Sequence, residues 1–339
     1  MKALKYSDSF GTALSGVGIL FVLLGHSTGL LPDAAEREGQ LNPSYRVFLR
    51  IIDWIYTFHM PLFFLLAGLN YERHTKRRRV AYVDLVVSKA KRLLVPYVLI
   101  SSLAYPLKVL LSQYAYRPIS FSPMAFAENL FLPWENTIIF FWFLPTLFLI
   151  FLLTPLLDRL AERPVTAFSG FGLLIVCFYV FPHQPRSGLL TVGNLGGTLH
   201  NAVFFFLGMM TERHRVIEKL PPFMAVAVLP SIAISVADIA DGALSFPAAI
   251  LGIVAAIMLV KLVLENSASV QFAGTRAFQI YLFSWFPQIC VRIVSSQIFD
   301  LPIFVAVGAS LVFGLVGPIL ATQLLDWRLS KGWAFAYGK

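Results

Sequence analysis

The chain has 339 residues, 58% of them hydrophobic and only 13% charged, with a mean hydropathy of +0.74. That is too apolar for a soluble domain of this length. The formal net charge of +9 invites a nucleic-acid partner, but the basic residues sit in short segments between apolar runs, and Cys177 and Cys290 lie inside such runs without metal-ligand spacing, so neither a nucleic-acid binder nor a metal centre is expected.

Ten apolar runs are long enough to cross a bilayer, at roughly 12–31, 47–69, 93–113, 137–157, 165–182, 195–211, 222–239, 245–264, 275–297 and 301–325. Asp8 caps the first helix. The first run lacks a small-x-small cleavage site and leads into another span, so it is expected to stay in the protein. Near its far end stands Gly25-His26. An ionisable side chain at bilayer depth is costly and marks a functional site by default. His26 reads as a general base, since imidazole titrates near neutral pH. The competing reading is a buried neutral histidine bonded to a neighbouring helix.

The second run opens with Arg46, Arg50 and Asp53, which read either as interface anchors or as hydrogen-bonding groups for a glycan. His59 falls near its middle, two residues before Pro61. It reads as a second site residue, or as a histidine satisfying carbonyls freed by the proline. Between the second and third runs come Arg73, Lys76, Arg77, Arg78, Arg79, Lys89, Lys91 and Arg92. Topology alone accounts for a cytoplasmic basic loop, and docking of anionic phosphates is compatible with it. Arg92, against the membrane edge, and Arg78 are the candidate phosphate contacts. In the fourth run, Phe140-Phe141-Trp142-Phe143 reads as lipid-facing packing, with Trp142 as a candidate aromatic plate for a sugar. His200 and Asn201 in the sixth run read as helix-association groups.

Further basic residues, Arg159, Arg163, Arg213, Arg215, Lys219, Arg328, Lys331 and Lys339, together with Lys2 and Lys5, fall on the same side if ten spans leave both termini in the cytoplasm. The opposite loops carry Asp33, Glu36, Glu38, Asp238, Asp241 and Asp300. The expected fold is therefore an all-α integral membrane protein, a bundle of about ten transmembrane helices in one membrane domain over 1–339 with no soluble domain. No Walker-type loop, dinucleotide fingerprint or Gly-x-Ser-x-Gly elbow occurs.

Five segments resemble the membrane acyltransferase 3 family, particularly its fucose 4-O-acetylase-like branch. They are Gly16 to Ser27 (GVGILFVLLGHS), Phe58 to Gly68 (FHMPLFFLLAG), Arg92 to Tyr97 (RLLVPY), Trp142 to Pro145 (WFLP) and Gly274 to Trp285 (GTRAFQIYLFSW). The resemblance implies ten spans and transfer of an acyl group, usually acetyl from acetyl-CoA, to a hydroxyl of an extracytoplasmic carbohydrate or lipid-linked glycan. It implies no bound cofactor; acetyl-CoA enters as a substrate. It places the protein in a bacterial plasma (inner) membrane, with membrane lipid as its surroundings, and assigns catalysis to His26 and His59. Transfer is either direct or through a covalent intermediate. Two positions depart from the family pattern: Ser15 stands where Arg or Lys is usual, and Ser284 where a histidine is frequent. A glycan or lipid transporter, and a family member that has lost catalysis, are the competing expectations.

Overall fold

A computed structural model describes residues 8–27, 43–76, 78–114, 118–236, 242–299 and 301–328, the side chains of 43–48, 236, 296 and 297 excepted. The fold is all-α: 86% helical, with no strand among the described residues. The helices are α1 (Asp8–Ser27), α2 (Pro43–Asn70), α3 (Tyr82–Leu110), α4 (Pro123–Phe131), α5 (Phe143–Leu152), α6 (Thr154–Leu160), α7 (Pro164–Val180), α8 (Leu195–Arg213), α9 (Val216–Lys219), α10 (Val228–Val236), α11 (Ser245–Leu259), α12 (Ala268–Thr275), α13 (Ala277–Phe283), α14 (Trp285–Ile293) and α15 (Ile303–Arg328).

Five of these, counted with their π-helical and 3-10 extensions, are long and apolar enough to cross a membrane: Asp8–Ser27, Leu49–Lys76, Tyr82–Leu110, Gly242–Leu264 and Ile303–Arg328. A sixth span results if α5 and α6, bent by 57°, count as one. The set fits an integral membrane protein. The remaining expected spans fall on shorter or broken helices, and the breaks have local causes. Pro155, just after the α5–α6 junction, has no N–H for the Phe151 carbonyl, and the Thr154 hydroxyl takes that acceptor at 2.7 Å. The 275–297 run is divided at Arg276 and Ser284 into α12, α13 and α14. Helix α7, 17 residues long, spans about 26 Å, a little short of a ~30 Å hydrocarbon layer.

The described residues form two compact units, one from the chain up to Phe63 and from Arg215 onward, the other from Phe64–His214. In the first, small residues let backbones touch. A Cβ on Gly16 of α1 would collide with the Val270 carbonyl oxygen of α12, and one on Gly274 with the Thr12 carbonyl oxygen of α1. Two motif glycines thus mark the same close crossing, the small-residue packing that membrane helices use where lipid supplies no hydrophobic drive. In the second unit the end of α2 meets α8 the same way: Gly68 faces the Phe205 carbonyl and Gly208 the Leu65 carbonyl.

Candidate active site

In the first unit, His26 in the last turn of α1 and His59 in α2 come within electrostatic reach of each other. His59 is buried, and its Nδ1 lies 3.0 Å from the Ile55 carbonyl oxygen. A carbonyl only accepts, so Nδ1 carries the proton and neutral His59 keeps its lone pair on Nε2. Pro61 frees the Thr57 carbonyl, four residues back; His59 bonds Ile55 instead. The ring therefore does not serve as the patch for the proline.

Neighbouring residues of α1 and α2 build an aromatic cluster in the same unit. Phe58 is fully buried against Gly252, where a Cβ would strike its ring. Phe21 meets Phe58 edge-on at 5.6 Å, and Trp54 lies 5.1 Å from Phe58 with its indole N–H donated to the Ser231 hydroxyl at 2.7 Å.

Two further groups escaped sequence reasoning. Tyr56 stands three residues before His59, on the same helical face, and its ring packs edge-on to the imidazole at 4.9 Å. Its hydroxyl oxygen lies 3.2 Å from where a Cβ on Gly25 would stand, beside His26. The i, i+3 spacing was the available signal for the first contact; nothing in the sequence announced the second. Gln288 of α14 donates its amide to the Leu23 carbonyl at 3.3 Å and the Ser27 hydroxyl at 3.0 Å, on either side of His26 in the chain. The two bonds fasten the end of α1 that carries the histidine.

Ser15 donates to the Gly11 carbonyl at 2.9 Å, an ordinary bond within its own helix. The Ser284 hydroxyl is fully buried with no hydrogen-bond partner among the described residues. Gln288, one turn on, is the polar group of that segment that reaches α1. Arg50 is exposed and 3.9 Å from Asp53, a loose pair of the kind worth little. The side chain of Arg46 lies outside the described residues.

The second unit carries the other candidates. Trp142 is buried and stacked on Trp134, rings 5.0 Å apart and 12° from parallel, with His183 edge-on to Trp142 at 4.6 Å. Trp134, half-buried, is the outer member of the stack. Its indole N–H donates to the Asn194 Oδ1 at 3.1 Å, and Asn194 in turn donates to the Thr146 hydroxyl at 2.8 Å and caps α8. The loop bearing Trp134 is fastened from within by Asn129 and Asn136, the latter donating to the Ser101 hydroxyl at 2.8 Å.

Arg78 lies in the exposed turn after α2, and Arg92 is exposed in the π-helical turn Ala90–Leu94 within α3. Two further basic residues lie in ion pairs. Arg213 grips Glu72 in fork geometry at 3.0 and 3.1 Å and donates to the Ala161 carbonyl, while Lys76 pairs with Asp158 at 2.6 Å. Tyr71 completes this network by donating to Asp158 at 2.7 Å. Beside it opens a mainly apolar cavity of about 450 Å³, lined by Arg163, Phe168, Phe206, Met210 and Arg213 among others.

A family model described as an acyltransferase domain, acyltransferase 3, matches residues 13–323. No curated protein and no solved structure matches the chain. The matched stretch runs from before the first histidine to within the last helix and takes in both units, so the chain belongs to the acyltransferase 3 family.

Proposed function

We propose that this protein transfers an acyl group, acetyl in the first instance, from acyl-CoA to a hydroxyl of a cell-surface or exported carbohydrate. The observation that carries the reading is two histidines of neighbouring helices within electrostatic reach of each other, His59 buried, in a chain of an acyltransferase family. A proton acceptor near neutral pH is what a sugar hydroxyl needs to attack a thioester. His26 takes that proton as the oxygen bonds the acyl carbon. The adduct then collapses, the C–S bond breaks, and the CoA thiolate recovers the proton from His26. His59, its tautomer held by the Ile55 carbonyl, keeps its lone pair on Nε2 and orients the exchange.

The donor enters from the cytoplasm, where acetyl-CoA is made, and Arg78 and Arg92 meet its phosphates. Both are exposed on the surface of their unit. The acceptor arrives from the outer side, a sugar or lipid-linked glycan read by the Trp134–Trp142 stack and by Arg46 and Arg50. In this reading ten spans place both termini in the cytoplasm of a bacterium, the chain lies in the plasma membrane, and the short and broken helices complete the count. The test is acetyl transfer from acetyl-CoA to surface polysaccharide by the purified protein in lipid nanodiscs. Absence of transfer, together with an unchanged polysaccharide mass in cells lacking the gene, would overturn the reading.

A further inference from the structure

An acyl-transfer site needs a hydrogen-bond donor for the carbonyl oxygen, which becomes an oxyanion as the hydroxyl adds. Soluble hydrolases commonly take it from backbone N–H groups. Within a membrane helix those groups are committed to the carbonyls four residues back. A side chain that reaches past the helix backbone can supply the donor instead.

The donors around His26 and His59 are mostly spoken for. The His59 Nδ1–H goes to Ile55, the Ser27 hydroxyl to Leu23, the Thr57 hydroxyl to Trp54, the Trp54 indole to Ser231, and the Gln288 amide to Leu23 and Ser27. Tyr56 is different. Its ring rests on His59, its oxygen sits over Gly25 beside His26, the residue is 46% exposed, and its hydroxyl donates to none of the described residues. Gly25 gives the phenol this place, because a Cβ would crowd its oxygen to 3.2 Å.

We infer that Tyr56 is a catalytic residue that donates its phenolic hydrogen to the thioester carbonyl oxygen and stabilises the oxyanion of the tetrahedral adduct. This rests on the acyl-transfer reading above. The phenol keeps its proton throughout. The acceptor proton travels through His26, the new C–O bond forms, the C–S bond breaks, and the thiolate leaves as thiol.

The experiment uses the full chain in nanodiscs with acetyl-CoA and chemically de-O-acetylated polysaccharide from the source cell. Tyr56→Phe keeps the ring contact with His59 and removes only the donor. The expected result is a fall in kcat of about 10²–10³-fold, with KM for acetyl-CoA changed less than threefold. Fluorotyrosine at position 56, which retains the donor, should keep kcat within a fewfold of wild type. A Tyr56→Phe enzyme within twofold of wild-type kcat, with His26→Ala inactive, overturns the role of Tyr56 and leaves acyl transfer standing. A wild-type protein that transfers no acetyl under these conditions overturns both. If fluorotyrosine and phenylalanine lose kcat equally, the phenol acts through packing, and the donor role falls.

Discussion

Gln288 and Ser27, 261 residues apart in the chain, share a buried hydrogen bond of 3.0 Å. With the second bond from Gln288 to Leu23, it ties the end of α1 to α14. Glutamine at 288 does not touch the expected site, yet it holds the helix turn from which His26 projects. Gln288→Leu keeps the volume and removes both bonds, at a cost of about 0.6–1 kcal/mol each. The expected outcome is a fall of several degrees in Tm and a loss of kcat of about tenfold with KM nearly unchanged. Thermal unfolding in nanodiscs and steady-state kinetics measure the two, and unchanged kcat beside a lowered Tm would confine Gln288 to stability.

His26→Ala should abolish acetylation while the protein accumulates to near-normal levels, since a lost general base costs ~10²–10⁴ in rate. Acetyl content of surface polysaccharide, normalised to membrane protein by immunoblot, is the measurement. A variant keeping more than a third of wild-type acetylation would move His26 to a packing role.

Gly274→Val should disrupt the fold, because even a Cβ at this position meets the Thr12 carbonyl and α1 must move away from α12. Overpacking of this kind costs about 1–3 kcal/mol or more. Gly308→Ala is the paired control: a Cβ there has nothing within 4 Å. The first variant should lose most of its monodisperse peak in size-exclusion chromatography and the second should be indistinguishable from wild type. Equal behaviour of the two would contradict the close α1–α12 crossing.

The basic residues should separate into two kinds. Arg78→Glu with Arg92→Glu should raise the KM for acetyl-CoA several-fold and make it more sensitive to salt, as expected of exposed charges meeting phosphate. Arg213→Ala should instead reduce the amount of folded protein, because buried Glu72 would lose its fork-shaped partner and keep only the looser pair with Lys76 at 3.9 Å. Donor titrations and detergent-extracted yield distinguish them. A normal yield of Arg213→Ala would show that its bond to Glu72 is dispensable.

Reporter fusions after Arg79 and at Lys339 should report cytoplasm, and fusions near Glu38 and Asp241 the outer side, from the one-sided distribution of Lys and Arg. A C-terminus on the outer side would mean an odd number of spans.

Hydropathy is a local sum, so the sequence by itself determined that the chain is helical and membrane-embedded, and roughly where its longest helices lie. It also singled out His26 and His59, because an imidazole within an apolar run is conspicuous without any neighbour, and it carried the motifs of the acyltransferase 3 family. Composition could not say where proline and polar residues would break a run, and so left the bend at Leu153 and the division of 275–297 to the structure. Only the tertiary structure decided which side chains meet those histidines. Tyr56 reads as one more interfacial aromatic, and Gln288 as one more polar residue in a span, until packing lays the phenol on Gly25 and the amide on Ser27. The same holds for Arg213, which counts in the sequence as a topological charge and in the structure as the partner of Glu72. Such contacts join residues up to 265 positions apart. How closely helix backbones approach, as at Gly16 and Gly274 in one unit and at Gly68 and Gly208 in the other, is likewise a property of paired helix surfaces that no single window of sequence contains.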